Sequence, residues 1–219
     1  MLKFFILIII LLILLFSIVY QGDYYKYENI ICYKIYDENK FIYRTKIINN
    51  IFTKNDCLEI INEGENYAKK NSWLKKRHND YPTTDNQITN KWKVYKLIND
   101  NFNNKISKEI NKLFNLKNVK LVVKEYFIVK YDMIGQNSLQ YHKDGSEFSF
   151  IIGLNDEFTG GGTHFKNENN LIKLGIGDCV IFSGLNEHKG VKITSGTRYI
   201  LTGFIHLNKI DFCEDLIEM

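Results

Sequence analysis

The residues best suited to chemistry lie in the second half of the chain, and the first of them form a His-x-Asp pair. His142 and Asp144 are two residues apart, and on a strand such residues project from the same face, so both could bind one ion. His188 follows forty-four residues after Asp144 and is the candidate third ligand. Two histidines and one carboxylate that leave coordination positions open are the ligand set of non-haem iron(II) sites. The sequence therefore predicts an iron(II) centre at His142, Asp144 and His188.

Arg198 follows ten residues after His188 and is one of only three arginines in the chain. We interpret residues 194–196 (Thr-Ser-Gly) as a hairpin turn that returns the strand of His188 antiparallel in the strand of Arg198. Arg198 would then lie about 13 Å along the sheet from the metal, a gap that a five-carbon dicarboxylic acid and an extended arginine together span. The spacing predicts that Arg198 holds the remote carboxylate of 2-oxoglutarate as a bidentate pair. The alternative is a surface arginine.

Tyr131 is a candidate for the same pocket. It shares one face of a predicted strand with Phe127 and Val129, because alternate residues of a strand point the same way. Its hydroxyl could then donate a hydrogen bond to the 2-oxoglutarate carboxylate. The alternative is a tyrosine that only packs in the core.

A substrate groove is predicted in the polar loop that we expect over residues 71–90. Trp73, Arg77 and Tyr81 lie in this loop, and exposed aromatic residues and arginine favour peptide contacts. The alternative is a loop that packs on the core without touching substrate.

The elements that must position these residues change character near residue 119. Beyond it, apolar residues alternate and Gly, Asn or Asp separate the segments, which indicates many short strands in a sandwich or barrel. The predicted strands are 121–131, 139–144, 147–154, 162–166, 178–183, 188–193 and 197–206. Gly160, Gly161 and Gly162 lack the Lys-Ser/Thr of a phosphate-binding loop, so we interpret them as a tight bend between strands.

Helices precede this β region. Cap-type residues at 53–56 come before an apolar pattern, which predicts a helix over about 54–70. Phe102, Ile106, Ile110 and Leu113 or Phe114 recur at helical spacing and predict a second helix. The order of helices first and strands second indicates the α+β class.

The N-terminal residues 4–20 contain no charged side chain. Seventeen residues in a helix would cover roughly 25 Å, near the short limit of a membrane span. The sequence favours an uncleaved single-pass transmembrane helix over a cleaved signal peptide, because small residues are scarce after residue 20. If Lys3 stays cytosolic, the rest of the chain is luminal or extracytoplasmic.

Charge and cysteine content exclude other classes. The net charge of +4 comes from 29 basic and 25 acidic residues spread along 219 positions, so no nucleic-acid partner is expected. Four cysteines are too few and too scattered for a zinc cluster or a disulfide framework. Cys57 and Cys179 fit apolar patterns and are predicted core residues, whereas pairing of Cys32 with Cys213 is left open.

The ordered set of motifs resembles a known catalytic domain over about residues 120–206. The segments that carry the resemblance are Phe127-Ile-Val-Lys-Tyr131, Leu139-Gln-Tyr-His142-Lys-Asp144, Gly160-Gly-Gly-Thr-His-Phe165, Gly177-Asp178, His188 and Ser195-Gly-Thr-Arg198-Tyr. This set is similar to the 2-oxoglutarate- and iron(II)-dependent dioxygenases, and most similar to the prolyl 4-hydroxylase and procollagen lysyl hydroxylase group. The upstream segments Arg77-His78 and Tyr81-Pro-Thr-Thr-Asp85 also resemble a part of related hydroxylases.

The resemblance implies a double-stranded β-helix (jelly-roll) core with His142, Asp144 and His188 on Fe(II) and Arg198 on 2-oxoglutarate. It also implies O₂ as co-substrate, L-ascorbate as reductant, release of succinate and CO₂, and hydroxylation of a protein or peptide substrate. Prolyl residues are the first expectation and lysyl residues the second. Collagen-type prolyl hydroxylases usually carry Lys where this chain has Arg198, so the hydroxylated residue type stays open.

Together these expectations divide the chain into five parts. They are an N-terminal anchor (1–22), a tether with the first strands (23–50), a helical support region (51–118), the oxygenase domain (119–208) and a tail (209–219). Two alternatives stay open, namely a catalytically silent jelly-roll binding module on a membrane anchor and an oxygenase that acts on a small molecule.

Overall fold

The structure is a computed structural model that describes residues 43–75, 77–78, 81–116 and 120–207. Several predictions fall outside these residues and stay predictions, namely the anchor, most of the tether, the tail and the pairing of Cys32 with Cys213. The extracytoplasmic location also stays a prediction. Within the described ranges, no helix is long and apolar enough to cross a membrane.

The β region consists mostly of short strands, as expected from the alternating pattern. The strands of the described chain are β1 (Thr45–Ile48), β2 (Asp85–Ile88), β3 (Leu121–Tyr131), β4 (Leu139–His142), β5 (Phe148–Gly153), β6 (Phe158–Gly160), β7 (Thr163–Phe165), β8 (Asn170–Ile172), β9 (Cys179–Ser183), β10 (His188–Gly190), β11 (Ile193–Gly196) and β12 (Arg198–Leu207). The bend at Gly160–Gly162 joins β6 to β7, as predicted.

Antiparallel pairing arranges the strands in a six-stranded sheet, a four-stranded sheet and a two-stranded ribbon. Their orders are β1-β9-β5-β12-β3-β2, β4-β10-β7-β8 and β11-β6. Phe127 and Val180 of the large sheet share one buried cluster with Phe165 and Ile172 of the small sheet. Two sheets that bury their inner faces against each other are consistent with the expected jelly roll.

Helix α1 (Lys54–Asn71) covers the large sheet and confirms the predicted helix. It begins at a capping box, in which Thr53 accepts from the Asp56 amide and the Asp56 carboxylate accepts from the Thr53 amide. An added Cβ at Gly64 would lie 3.0 Å from Ile128 Cδ1, so this glycine allows α1 to approach β3 closely.

The second predicted helix is present but begins earlier and is not uniform. It consists of α2 (Tyr95–Asn101), a π-helical turn (Phe102–Ile106) and α3 (Ser107–Leu113). Ile98, Phe102 and Ile110 are buried along it. Together with the sheets, these helices agree with the predicted α+β class.

The predicted loop at 71–90 was wrong over Asp85–Ile88, which forms β2 and pairs with β3. The segment reads Asp-Asn-Gln-Ile, so it lacks the apolar alternation that marks a strand. β6 and β8 are three residues each, too short to carry a detectable pattern. Residues 194–196 belong to strand β11, which pairs with β6, so they are not the predicted hairpin turn.

Candidate metal centre

The two candidate histidine ligands lie side by side on adjacent strands of the small sheet. His142 ends β4 and His188 begins β10, and the two are direct partners in the antiparallel register. Their ring centroids are 4.3 Å apart. A metal placed between the strands could therefore bind both.

Backbone carbonyls orient both imidazole rings. His142 Nδ1 lies 2.9 Å from the carbonyl oxygen of Gln140, and His188 Nδ1 lies 2.9 Å from that of Asn186. A carbonyl oxygen can only accept, so each Nδ1 is the protonated donor and each Nε2 carries the free lone pair. The orienting bond to the second nitrogen is the arrangement that metal-binding histidines use.

Asp144 completes the group from just beyond the strand. β4 ends at His142 rather than at the predicted residue 144, and the Asp144 amide instead donates to the Gly184 carbonyl at 2.8 Å. Asp144 Oδ1 lies 3.5 Å from His142 Nε2 and 3.8 Å from His188 Nε2. The structure thus brings the three predicted residues together, with their ligand atoms all within 4.8 Å of one another.

The donor set fits a divalent transition metal, and Fe(II) with open positions in particular. Asp144 Oδ2 is buried and has no hydrogen-bond partner within the described residues. A buried carboxylate oxygen of this kind is costly unless a cation or donor satisfies it. Burial also lowers the pKa of His188, although the nearby Asp144 charge opposes the shift, and a neutral imidazole is the form that binds metal.

His164 lies between the candidate ligands in the sequence, and it does not join the group. Its Nδ1 lies 2.9 Å from Tyr141 Oη and its Nε2 lies 3.2 Å from Asn169 Oδ1. Since strand neighbours alternate, His164 points away from Thr163 and Phe165, which are buried.

The strand of Arg198 does not form the predicted hairpin with the strand of His188. It begins β12 in the large sheet, between β3 and β5, whereas His188 lies in the small sheet. The prediction of adjacent antiparallel strands was therefore wrong, because β11 intervenes and pairs with β6. The two residues approach the same core from facing sheets rather than along one sheet.

The Arg198 guanidinium is buried, and its exposed fraction is 4 %. Its nitrogens donate to the Gly162 carbonyl at 3.2 Å and to Thr163 Oγ1 at 3.4 Å. Both acceptors are neutral, and no ion pair joins Arg198 to a carboxylate of the described chain. Burial lowers the Arg198 pKa, and a buried cation of this kind favours an anionic ligand.

Tyr131 is the cross-strand partner of Arg198 in the β3–β12 register. The Arg198 Cζ lies 5.4 Å from the Tyr131 ring centroid, and Tyr131 is 3 % exposed. Burial raises its pKa, with Asp144 and Asp85 adding to the shift and Arg198 opposing it. The hydroxyl therefore keeps its proton and can donate. An added Cβ at Gly190 would lie 2.7 Å from Tyr131 Oη, so this glycine makes room for it.

A cavity of about 500 Å³ lies between the sheets. Arg198 does not line it but contacts Tyr131 and Thr163, which do. The triad and Tyr131 line it together with apolar residues of both sheets, which include Phe127, Val129, Leu139, Ile151, Ile200 and Phe204. Such a mixture of an apolar wall and a few convergent polar groups is typical of a small-molecule site.

The predicted substrate-groove residues separate into two groups. Arg77 and Tyr81 line the cavity, and the Tyr81 ring lies 5.1 Å from that of His142. Trp73 does not reach the cavity and packs beside Tyr199 and under Lys130. An indole in a polar loop is as easily a packing residue as a ligand contact, so the sequence did not separate the two.

Sequence reasoning missed several residues of the cavity wall. His78, Thr83, Thr163, Gly190 and Thr202 also line the cavity. Thr202 was detectable because it shares the inner face of β12 with Arg198. The others lie in short or irregular segments whose direction no periodicity reveals.

The comparisons with known proteins point to one enzyme class. No protein-family model matches the chain. A procollagen lysyl hydroxylase and glycosyltransferase of Acanthamoeba polyphaga mimivirus is 31 % identical over 186 residues, which are 74 % of this chain and 20 % of the relative. Procollagen-lysine,2-oxoglutarate 5-dioxygenase 1 of Gallus gallus is 32 % identical over 170 residues, which are 71 % of this chain and 23 % of that relative. The chain thus spans about a fifth of the length of these relatives.

Solved structures share the fold. A viral collagen prolyl hydroxylase from Paramecium bursaria Chlorella virus 1, in complex with 2-oxoglutarate, has a TM-score of 0.57 at 17 % identity and covers 74 % of this chain and 94 % of that one. A Trichoplax adhaerens prolyl hydroxylase with a hypoxia-inducible-factor peptide has a TM-score of 0.61 at 14 % identity, with coverages of 89 % and 93 %.

The fold and the His-Asp-His group define a 2-oxoglutarate- and iron(II)-dependent oxygenase domain. Within that class, the chain carries a domain of the prolyl and lysyl hydroxylase type.

Proposed function

We propose that the chain is a 2-oxoglutarate- and Fe(II)-dependent hydroxylase that acts on side chains of a protein. The observation that carries the proposal is the His142–Asp144–His188 group on a cavity whose lining residues Tyr131 and Thr163 contact the buried Arg198, which has no carboxylate partner in the described chain. A metal group on a cavity and a buried cation beside it are what a chelating dicarboxylic co-substrate requires.

Each of these residues has a distinct task. His142, Asp144 and His188 would hold Fe(II), which when bound supplies the oxidative chemistry that converts 2-oxoglutarate, O₂ and the substrate side chain to succinate, CO₂ and the hydroxylated side chain. Arg198 binds the remote carboxylate, and Tyr131 donates its hydroxyl to the same group. The apolar wall of Phe127, Leu139 and their neighbours excludes water from the reacting groups. Ascorbate is the reductant we expect to sustain activity.

We place lysyl side chains ahead of prolyl ones as the substrate, which reverses the order expected from the motifs. The two curated relatives are lysyl hydroxylases and are about 30 % identical, whereas the prolyl hydroxylase structures are below 20 %. A silent binding module is not favoured, because a binder does not need a complete metal group together with Arg198.

The proposal is tested with two sets of peptides that differ only in whether the central residue is lysine or proline. Mass spectrometry is expected to detect addition of one oxygen atom to the lysyl peptides, in amounts that match the succinate released. Asp144→Ala, which removes a candidate ligand and leaves the fold's apolar core intact, should yield no product. Absence of oxygen addition to both sets, with no succinate from the unaltered chain, would overturn the proposal. Product on the prolyl set alone would overturn only the substrate order.

A further inference from the structure

Asp85 is a fully buried carboxylate behind one wall of the cavity, and its exposed fraction is 0 %. It begins the edge strand β2, where it is the partner of Val129 on β3. Its amide donates to the Leu74 carbonyl at 2.9 Å, and its carbonyl accepts from the Leu74 amide at 3.2 Å. The backbone of Asp85 is therefore fixed on both sides.

The Asp85 carboxylate in turn holds two residues of the cavity wall. Its Oδ1 accepts from Arg77 Nε, and its Oδ2 accepts from Thr83 Oγ1. Arg77 and Thr83 both line the cavity, as does Tyr81 between them. We call Arg77, His78, Tyr81 and Thr83 the strap wall. One buried carboxylate thus ties the two ends of the strap wall to the large sheet.

Arg77 is held in one orientation by three partners. Besides Asp85, its Nη1 donates to Glu125, and its Nη2 lies 2.9 Å from His78 Nε2. Because arginine can only donate, His78 accepts through Nε2. Arg77 Cζ also lies 4.9 Å from the Phe127 ring centroid. A guanidinium has five N–H groups, so these three bonds leave about two for a ligand in the cavity.

The strap wall lies away from Arg198. Phe127 is opposite Thr202 on β12, which is four residues, or about 13 Å, from Arg198 along the strand. Two carboxylates already surround the Arg77 charge, so a further anion is disfavoured there. A neutral carbonyl oxygen, such as that of a peptide main chain, can still accept from the remaining N–H groups.

We propose that Asp85 is a positioning residue that fixes Arg77 and the strap wall for contact with the main chain of a protein substrate. The inference rests on the proposed function and assigns the substrate-binding side of the same cavity. Asp85 does not touch the reacting atoms and acts through Arg77.

The test is a double-mutant cycle of Asp85→Asn and Arg77→Gln on the iron-loaded chain. Asp85→Asn keeps the shape and removes the charge, so the KM for the lysyl peptide should rise by about tenfold, as for loss of a hydrogen bond to a charged group. The KM for 2-oxoglutarate should change less than twofold, and succinate should exceed hydroxylated peptide. The peptide KM of the double variant should be no higher than that of Arg77→Gln alone, because the pair acts as one unit. Asp100→Asn, on the exposed Lys96–Asp100 pair of α2, is the matched control.

An unchanged peptide KM in Asp85→Asn, or additive effects in the double variant, would overturn the inference. If Asp85→Asn does not fold, Thr83→Val removes one of its partners and should shift the peptide KM in the same direction. An unchanged peptide KM in Thr83→Val would then count against the inference.

A second readout separates this inference from the proposed function. Hydrogen–deuterium exchange of residues 81–84, measured without iron or substrate, should accelerate in Asp85→Asn and not in Asp100→Asn. If no peptide is hydroxylated by the unaltered chain, the proposed function fails. Unchanged exchange in Asp85→Asn would instead refute the positioning role.

Discussion

Among single residues, Arg198 is the candidate anion-binding residue, and it lies beside the cavity that the metal group lines. Its hydrogen bonds go to Gly162 and Thr163, both neutral acceptors. Gly160, Gly161 and Gly162 all have positive φ angles, 76°, 65° and 107°, which glycine adopts without strain. The triple glycine is therefore more than a bend, since it turns the Gly162 carbonyl toward the guanidinium.

We expect Arg198→Gln to weaken 2-oxoglutarate binding without loss of the metal. Removal of one partner from a buried charge pair costs about 2–5 kcal/mol, which raises the KM for 2-oxoglutarate by roughly 30-fold or more. Arg198→Lys keeps the charge but loses the planar fork, so its KM for 2-oxoglutarate should lie between that of Arg198→Gln and that of the unaltered chain. Steady-state kinetics at varied 2-oxoglutarate, with metal content measured in parallel, checks this. A KM unchanged in Arg198→Gln would remove this residue from the site.

The pair His142 and Asp144 was predictable from sequence because the two residues are neighbours along the chain, although Asp144 lies beyond the end of β4 rather than on it. His188 joins them through the pairing of β10 with β4, and the burial of Arg198 follows from the alternation of β12. Asp85 and Thr83 were not identified as site residues, since their role depends on Arg77 and on a register between β2 and β3 that a polar segment does not reveal.

At the scale of elements, a polar cluster ties α1 to the large sheet. Glu65 of α1 accepts from Lys130 Nζ of β3 at 2.8 Å and from the Tyr199 hydroxyl of β12. Burial alone would raise the Glu65 pKa, but the hydrogen bonds from Lys130 and Tyr199 outweigh it and the pKa is lowered. The ionised carboxylate therefore stabilises the fold.

The Glu65 contribution should depend on pH. Because the folded pKa lies below the unfolded value of about 4.3, the stabilisation is present above that pH and is lost as the pH falls through the folded pKa. Glu65→Gln should lower the free energy of unfolding by about 1 kcal/mol at pH 7, given its partial exposure. The difference should shrink below about pH 4. Urea unfolding across this range checks it, with the exposed Glu59→Gln of α1 as control, and a pH-independent difference would contradict it.

The elements themselves were predictable where apolar residues repeat over a long segment. β3, β12 and α1 follow their patterns within one or two residues. The hairpin between His188 and Arg198 was wrong because β11 pairs with β6 across the chain, and non-local pairing leaves no mark in local spacing. The helical segment from Tyr95 to Leu113 begins before Phe102, where the predicted repeat starts, because the buried Ile98 extends that repeat by one turn.

At the scale of the whole molecule, the residues proposed for metal binding, 2-oxoglutarate binding and substrate contact come from different parts of the fold. The large sheet supplies Arg198 and Tyr131, the small sheet supplies His142 and His188, and the segment before β2 supplies the strap wall. Fold class and metal group were inferred from alternation and motif order. The packing of one sheet against the other was not inferred, because a two-residue alternation indicates which face of a strand is buried but not which strand lies opposite that face.

The most direct test of the account is whether succinate formation depends on Fe(II) and on the triad. The purified chain is freed of metal with a chelator, and succinate from 2-oxoglutarate is measured with a lysyl peptide before and after Fe(II) is added. We predict succinate only with Fe(II), its loss in His142→Ala, and its retention in His164→Ala, a neighbouring histidine outside the triad. Equal succinate from His142→Ala and the unaltered chain, or succinate that chelation does not remove, would contradict the account.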